Sequence, residues 1–104
     1  MMANKLLLFY LEGLINDVFK ILPLYEEESF TLPQYIDSLI YELQGFQELF
    51  DQIGTSPEFV SMISILERIA EDSIAFGQDK AIIKREVFKA ISLIKKIQEK
   101  CDEQ

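Results

Sequence analysis

The sequence predicts an all-α protein, a bundle of four helices, and three observations carry that expectation. Apolar residues recur at three- and four-residue spacing through most of the chain. Helix start and stop signals divide that pattern into four segments of similar length. No segment alternates apolar and polar residues between hairpin turns, so no strand is expected. Short connectors favour antiparallel neighbours and hence an up-down four-helix bundle. The longer first connector and Pro23 leave an orthogonal bundle as the alternative. At 104 residues and 49% hydrophobic content, residues 1–104 are expected to form one domain, with a core that needs neither disulfide nor metal.

The first helix is expected over about residues 4–22, stopped by Pro23, which cannot continue the ladder. Leu7, Leu11, Leu14, Ile15, Val18 and Leu22 fall on one face, and Lys5, Glu12, Asn16 and Lys20 on the other. Phe9 lands on the polar side, bordered by Leu6 and Gly13. Residues 23–30 read as a connector. Thr31 with Gln34 reads as a capping box, Pro33 suits a first turn, and Phe30 is placed to staple that turn from outside. The second helix is expected over about residues 32–52 with Gly54 as its stop. Its inner face is Ile36, Leu39, Leu43, Phe46, Phe50 and Ile53. Its outer stripe is Asp37, Tyr41, Gln44, Glu48 and Asp51.

Ser56-Pro57-Glu58 is a complete start signal: an N-cap, a proline at the first helical position and an acid at the positive end of the dipole. The third helix then covers about residues 57–75 and ends at Gly77, with Phe59, Met62, Ile63, Leu66, Ile69 and Ala70 inward. Asp79 caps the fourth helix, about residues 80–100, whose core stripe is Ile83, Val87, Ala90, Ile91, Ile94 and Ile97. Arg85, Lys89, Lys96 and Lys100 line its opposite face.

Charge is divided unevenly along this framework. Residues 21–67, 47 in all, contain nine Asp or Glu and no Lys or Arg. Residues 1–79 hold 14 acids and 3 bases, a net of −11, whereas residues 80–104 hold 4 acids and 7 bases, a net of +3. Such polarity favours either docking of the basic segment near the acids or use of one surface by a partner.

Catalytic machinery is not expected. The chain has no histidine, which removes the usual general base and zinc ligand, and no glycine-rich phosphate loop. Cys101, the single cysteine, has no histidine to activate it and no partner for an intrachain disulfide, which fits a reducing cytosol. Glu26-Glu27-Glu28 reads as a solvated connector rather than a cation site, since a site needs several converging oxygens. No cofactor and no metal are therefore expected. Leu6-Leu7-Leu8-Phe9-Tyr10-Leu11 is apolar, but Glu12, Asn16, Asp17 and Lys20 break the run, so a core helix is expected in place of a signal peptide or membrane span.

Three surface features remain. The acidic set is Glu26, Glu27, Glu28, Asp37, Glu48 and Asp51, a charge lure for a basic partner. The basic stripe Arg85, Lys89, Lys96 and Lys100 lacks interleaved aromatics, and the rest of the chain repels phosphate, which argues against direct nucleic-acid binding. The apolar remainder, Leu6, Phe9 and Tyr41, supplies candidate interface anchors, while Leu24, Tyr25 and Phe30 would close one end of the bundle. The expected function is that of a non-catalytic, cytoplasmic protein-binding module. Its sharper form is a stoichiometric inhibitor or adaptor covering a basic surface of a nucleic-acid-processing protein. Small acidic proteins of phages and mobile elements that block restriction or RNA-guided (CRISPR) nucleases offer an analogy of size and charge alone. The alternatives are a self-associating homodimeric bundle and a toxin- or bacteriocin-immunity-type bundle.

Overall fold

The computed structural model describes residues 2–50 and 55–102 and contains, among them, helices and no strands. The helices are α1 (Met2–Phe19), α2 (Ile21–Glu26), α3 (Leu32–Leu49), α4 (Pro57–Ala75) and α5 (Lys80–Asp102). The four long ones form an antiparallel up-down bundle of 43 × 22 × 20 Å. Contacts between neighbours give its direction, because rising numbers on one helix meet falling numbers on the next. Gln98 donates to Glu12 at 3.0 Å and Phe88 meets Phe19 with ring centroids 5.7 Å apart, so α5 runs antiparallel to α1. Lys100 reaches Glu58 and Arg68 reaches Glu86, which sets α4 against α5. Phe46 stacks on Phe59 of α4 and on Tyr10 of α1, while the Tyr35 hydroxyl donates to the Asp17 carbonyl at 2.7 Å. The order around the bundle is therefore α1, α3, α4, α5, with α3 and α5 on opposite sides.

One continuous core fills the centre. It contains Leu7, Leu11, Leu14, Ile15 and Val18 of α1 and the expected inner faces of α4 and α5 without exception. On α3, Ile36, Leu39, Leu43 and Phe46 are buried, as are Leu32 and Ile40, which the expected stripe left out. Phe50 is only half-buried, because α3 ends at Leu49 and the chain leaves helical geometry there. Ile53 and Gly54 lie outside the described residues. Cys101 joins the core from the last turn of α5, where burial pushes its thiol above the ordinary value.

The end of α1 departs from expectation. Pro23 does not stop the helix; the ladder breaks at Lys20 and resumes as α2. A proline ring clashes with the carbonyl four residues before it, here that of Phe19, where α1 ends. Pro23 itself lies in the first turn of α2, where no N–H is required. Ile21 is buried and Leu22 only half-buried: Ile21 and Tyr25 continue the spacing of Leu7, Leu11, Leu14 and Val18 in alternating steps of three and four residues, so the core takes Ile21 where the expected face ended on Leu22. α2 closes with a Schellman motif: the Glu28 N–H donates to Tyr25 and the Ser29 N–H to Leu24, both at 3.0 Å, with Glu28 left-handed at φ 52°.

The other caps divide. Ser56 accepts from the Phe59 N–H at 3.3 Å, and Asp79 accepts from the Ala81 N–H at 2.8 Å, both as expected. The Thr31 capping box does not form. Thr31 is itself helical in φ and ψ, so its hydroxyl turns to Ser29 at 2.8 Å instead of to Gln34. Phe30 makes no staple and stands 87% exposed. The end of α4 does not use Gly77: Phe76 takes the left-handed conformation at φ 50°, because there its ring packs against Tyr25 at 5.4 Å. Tyr25 ties this end together. Its hydroxyl donates to the Gln78 carbonyl at 2.8 Å and accepts from the Gln78 N–H at 3.1 Å. Tyr25→Phe removes both bonds and is expected to lower stability by about 1 kcal/mol, read from the urea midpoint at constant slope.

Candidate functional site

α3 presents its polar residues away from the core because Leu32, Ile36, Leu39, Ile40, Leu43 and Phe46 form its single buried stripe. Asp37, Tyr41, Gln44 and Glu48 are exposed on that outer side; Asp51 lies outside the described residues. Asp37 and Glu48 stand eleven residues apart, about 16 Å along the axis. They form a line of charge rather than one cluster. Asp37 shares a shallow groove with Glu67 and Glu71 of α4, which extends the acidic surface across the seam between the helices. The sequence signal for that extension is the spacing of four residues between Glu67 and Glu71 on the exposed edge of α4. Among the described residues, the ion pairs are Lys20–Asp17, Arg68–Glu86, Lys89–Glu86 and Lys100–Glu58, so no carboxylate of α3 is neutralised by a base.

Glu26, Glu27 and Glu28 are exposed but do not extend this surface. They sit at the end of the bundle, where Glu26 shares a shallow pocket with Lys80 and Lys84 at the start of α5.

The basic stripe is divided between two tasks. Lys100 turns to the start of α4 and holds Glu58 at 2.6 Å, and this hydrogen bond keeps the Glu58 carboxyl below the usual carboxylate range. Lys89 lies 3.7 Å from Glu86, a buried carboxylate on α5 that Arg68 also approaches at 3.9 Å. Arg85, Lys89 and Lys96 rim an open groove of about 570 Å³ with Ile65, Phe88 and Leu93 among its lining. An exposed aromatic therefore does stand among these cations, contrary to the sequence reading. Phe88 precedes Lys89 in the sequence, but helical spacing alone does not show that it lines the groove. α3 and α5 are diagonal, so their outer faces point opposite ways, while the acidic and basic grooves lie on adjoining seams that each border α4.

Leu6, Phe9 and Tyr41 are all exposed, but they do not form one patch. Tyr41 is on the outer side of α3, and Phe9 on the outer side of α1 next to Leu6 and Gly13 in helical projection. Leu6 instead lines the seam between α1 and α3. These are the two neighbouring helices whose backbones approach each other least. An apolar groove of about 470 Å³ opens there, lined by Leu6, Tyr10, Glu42, Gly45, Phe46 and Leu49 with neighbouring apolar side chains. The Tyr10 hydroxyl is enclosed in it without a well-formed hydrogen bond. Burial first, and then the negative charge of Glu42, hold the Tyr10 phenol well above the ordinary tyrosine value. Burial and Asp17 push Tyr35 the same way.

No group of three or more His, Cys, Asp or Glu among the described residues converges in a manner that would hold a metal ion. Thermal unfolding is expected to be identical with and without EDTA; a lowered midpoint in chelator would put a cation among the carboxylates. No helix among the described residues is long and apolar enough to cross a membrane. The arrangement defines a four-helix bundle with opposed charged faces and an open apolar seam. Comparison with protein-family models, curated proteins and solved structures returns no match.

Proposed function

We propose that the chain is a non-catalytic, cytoplasmic protein-binding module, a stoichiometric inhibitor or adaptor whose acidic face covers a basic surface on a nucleic-acid-processing protein. The observation that supports this reading is the unrelieved charge of α3 and its border with α4. Among the described residues Asp37, Glu42 and Glu48 have no ion-pair partner, and Glu67 and Glu71 add to the same side. Repulsion among like charges on one surface opposes folding, and a cationic partner relieves it on binding. A protein surface built to hold phosphates carries the matching field.

The test uses the full chain, immobilised, to capture its partner from the native host. Reversal of Asp37, Glu48 and Asp51 to Lys is expected to weaken capture about tenfold or more, with the helical signal and melting midpoint retained. The captured protein should elute as salt rises and be displaced by duplex DNA. Reversal of Arg85, Lys89 and Lys96 to Glu is the control and should leave capture intact. The opposite pattern, loss with the second set alone, would assign binding to α5 and reject the acidic-face reading.

A further inference from the structure

The α1/α3 seam contains Gly45, and the outer face of α1 beside it carries Gly13; the bundle itself requires neither. Gly13 and Gly45 lie inside helices, where each costs about 0.5–1 kcal/mol relative to Ala. Both have ordinary negative φ, and a Cβ built on either would meet nothing within 4 Å. Neither a turn nor a close internal contact accounts for them. Gly45 lines the apolar groove, and Gly13 continues the face of α1 that carries Leu6 and Tyr10. The walls beside them are left to solvent: Leu6 is 69% exposed, Leu49 79%, and Phe9 on the adjoining face 82%. Gly45 on the floor and large apolar residues on the walls make a trough that a helix can approach closely.

Charge decides which helix. Glu42 lines the groove and Glu48 precedes Leu49, while α3 contributes no base. On the α1 side, Asp17 stands beside the Tyr35 hydroxyl, which donates to its carbonyl, while its carboxylate is paired with Lys20. A second copy of this chain, with its own net charge of −8, would bring carboxylates against carboxylates. A basic helix meets the opposite field.

We propose that the groove between α1 and α3 seats a basic amphipathic helix of the partner, its apolar residues between Leu6 and Leu49, its nearest cations against Glu42 and its outer ones toward the acidic stripe farther round α3. The proposal rests on the acidic-face reading above and adds to it an apolar anchor, which charge alone does not supply. Charge attraction sets the encounter, and burial of Leu6, Leu49 and the edge of Tyr10 would set the lifetime of the complex.

The probe is a fluorescent helical peptide with Leu at i, i+3, i+4 and i+7 spacing and Lys elsewhere, titrated with the full chain and followed by anisotropy. Two control peptides are used: one with Glu in place of every Lys, and one of the same Leu/Lys composition scrambled to remove the apolar face. The Leu/Lys peptide is expected to saturate at one per chain and to bind about tenfold or more tighter than either control. Gly45→Gln puts a helix-favouring side chain into the trough. It is expected to weaken the peptide about tenfold or more while the melting midpoint holds or rises. Leu6→Gln is the second variant, at an exposed wall position where the fold is not at stake. Equal binding by the Glu peptide or the scrambled peptide overturns the proposal, as does undiminished binding by both variants. The arms separate this proposal from its premise. If the Asp37, Glu48 and Asp51 reversals abolish capture of the native partner while Gly45→Gln does not, the acidic face stands and the groove falls. A wild-type chain that sediments as a dimer, dissociated by Gly45→Gln, would make a second copy the occupant and would equally overturn the proposal.

Discussion

Phe59→Ala is expected to lower the stability of the bundle by about 3–5 kcal/mol. Phe59 is fully buried where α1, α3 and α4 meet. Its ring stacks on Phe46 at 5.7 Å and 14°, and Phe46 in turn stacks on Tyr10 and on Phe50, both at 4.7 Å. Truncation removes the buried ring, leaves a cavity in close-packed surroundings and breaks one link of this aromatic column. Against a total stability of about 5–15 kcal/mol for a domain of this kind, the loss is a large fraction. Urea unfolding followed by circular dichroism is the measurement, with an unchanged slope as the sign of an intact two-state transition. Phe59→Leu keeps most of the volume and is expected to cost about 1.5 kcal/mol or less. Phe50→Ala, at a half-buried position, is expected to cost about 1 kcal/mol, not the full core penalty that the apolar stripe suggests. Equal effects at positions 50 and 59 would contradict the observed end of α3.

Ile21→Ala is expected to cost about 2–5 kcal/mol, and Leu22→Ala about 1 kcal/mol. The expected first helix has the reverse order, with Leu22 on the Leu7–Leu11–Val18 face, but Ile21, three residues after Val18 and seven after Leu14, is the one that is buried. The structure breaks the ladder at Lys20, and Ile21 enters the core from the restarted helix. The pair shares side-chain size and position in the chain, so most other influences cancel. Comparable losses at both sites, or a larger one at Leu22, would contradict the burial of Ile21 over Leu22.

Most of the helical framework is local and therefore legible. Ser56 and Asp79 act through hydrogen bonds spanning two or three residues, and each caps where a sequence reader would place it. The inner faces of α4 and α5 follow from the helical period because nothing interrupts those helices. Legibility fails where two parts of the chain compete for one segment. Gly77 is the better left-handed residue by intrinsic preference, yet Phe76 takes that conformation because its ring then reaches Tyr25, more than fifty residues away. Cys101 follows the period of α5 but lay beyond the expected end of that helix, so its place in the core was missed.

The surfaces divide along the same line. Exposure of Asp37, Tyr41, Glu48, Arg85, Lys89 and Lys96 follows from their angle on one helix, and so did the expectation of an acidic and a basic face. Which of those charges stand together does not follow from any single helix. Packing put Lys100 against Glu58, Asp37 beside Glu67 and Glu71, and Glu26 near Lys80 and Lys84. It also set α3 diagonally from α5, and it left α1 and α3 far enough apart for a groove over Gly45. The period of one helix determines what faces outward. Only the order and spacing of all four determines what those outward residues meet, because charge pairs and grooves are made between helices.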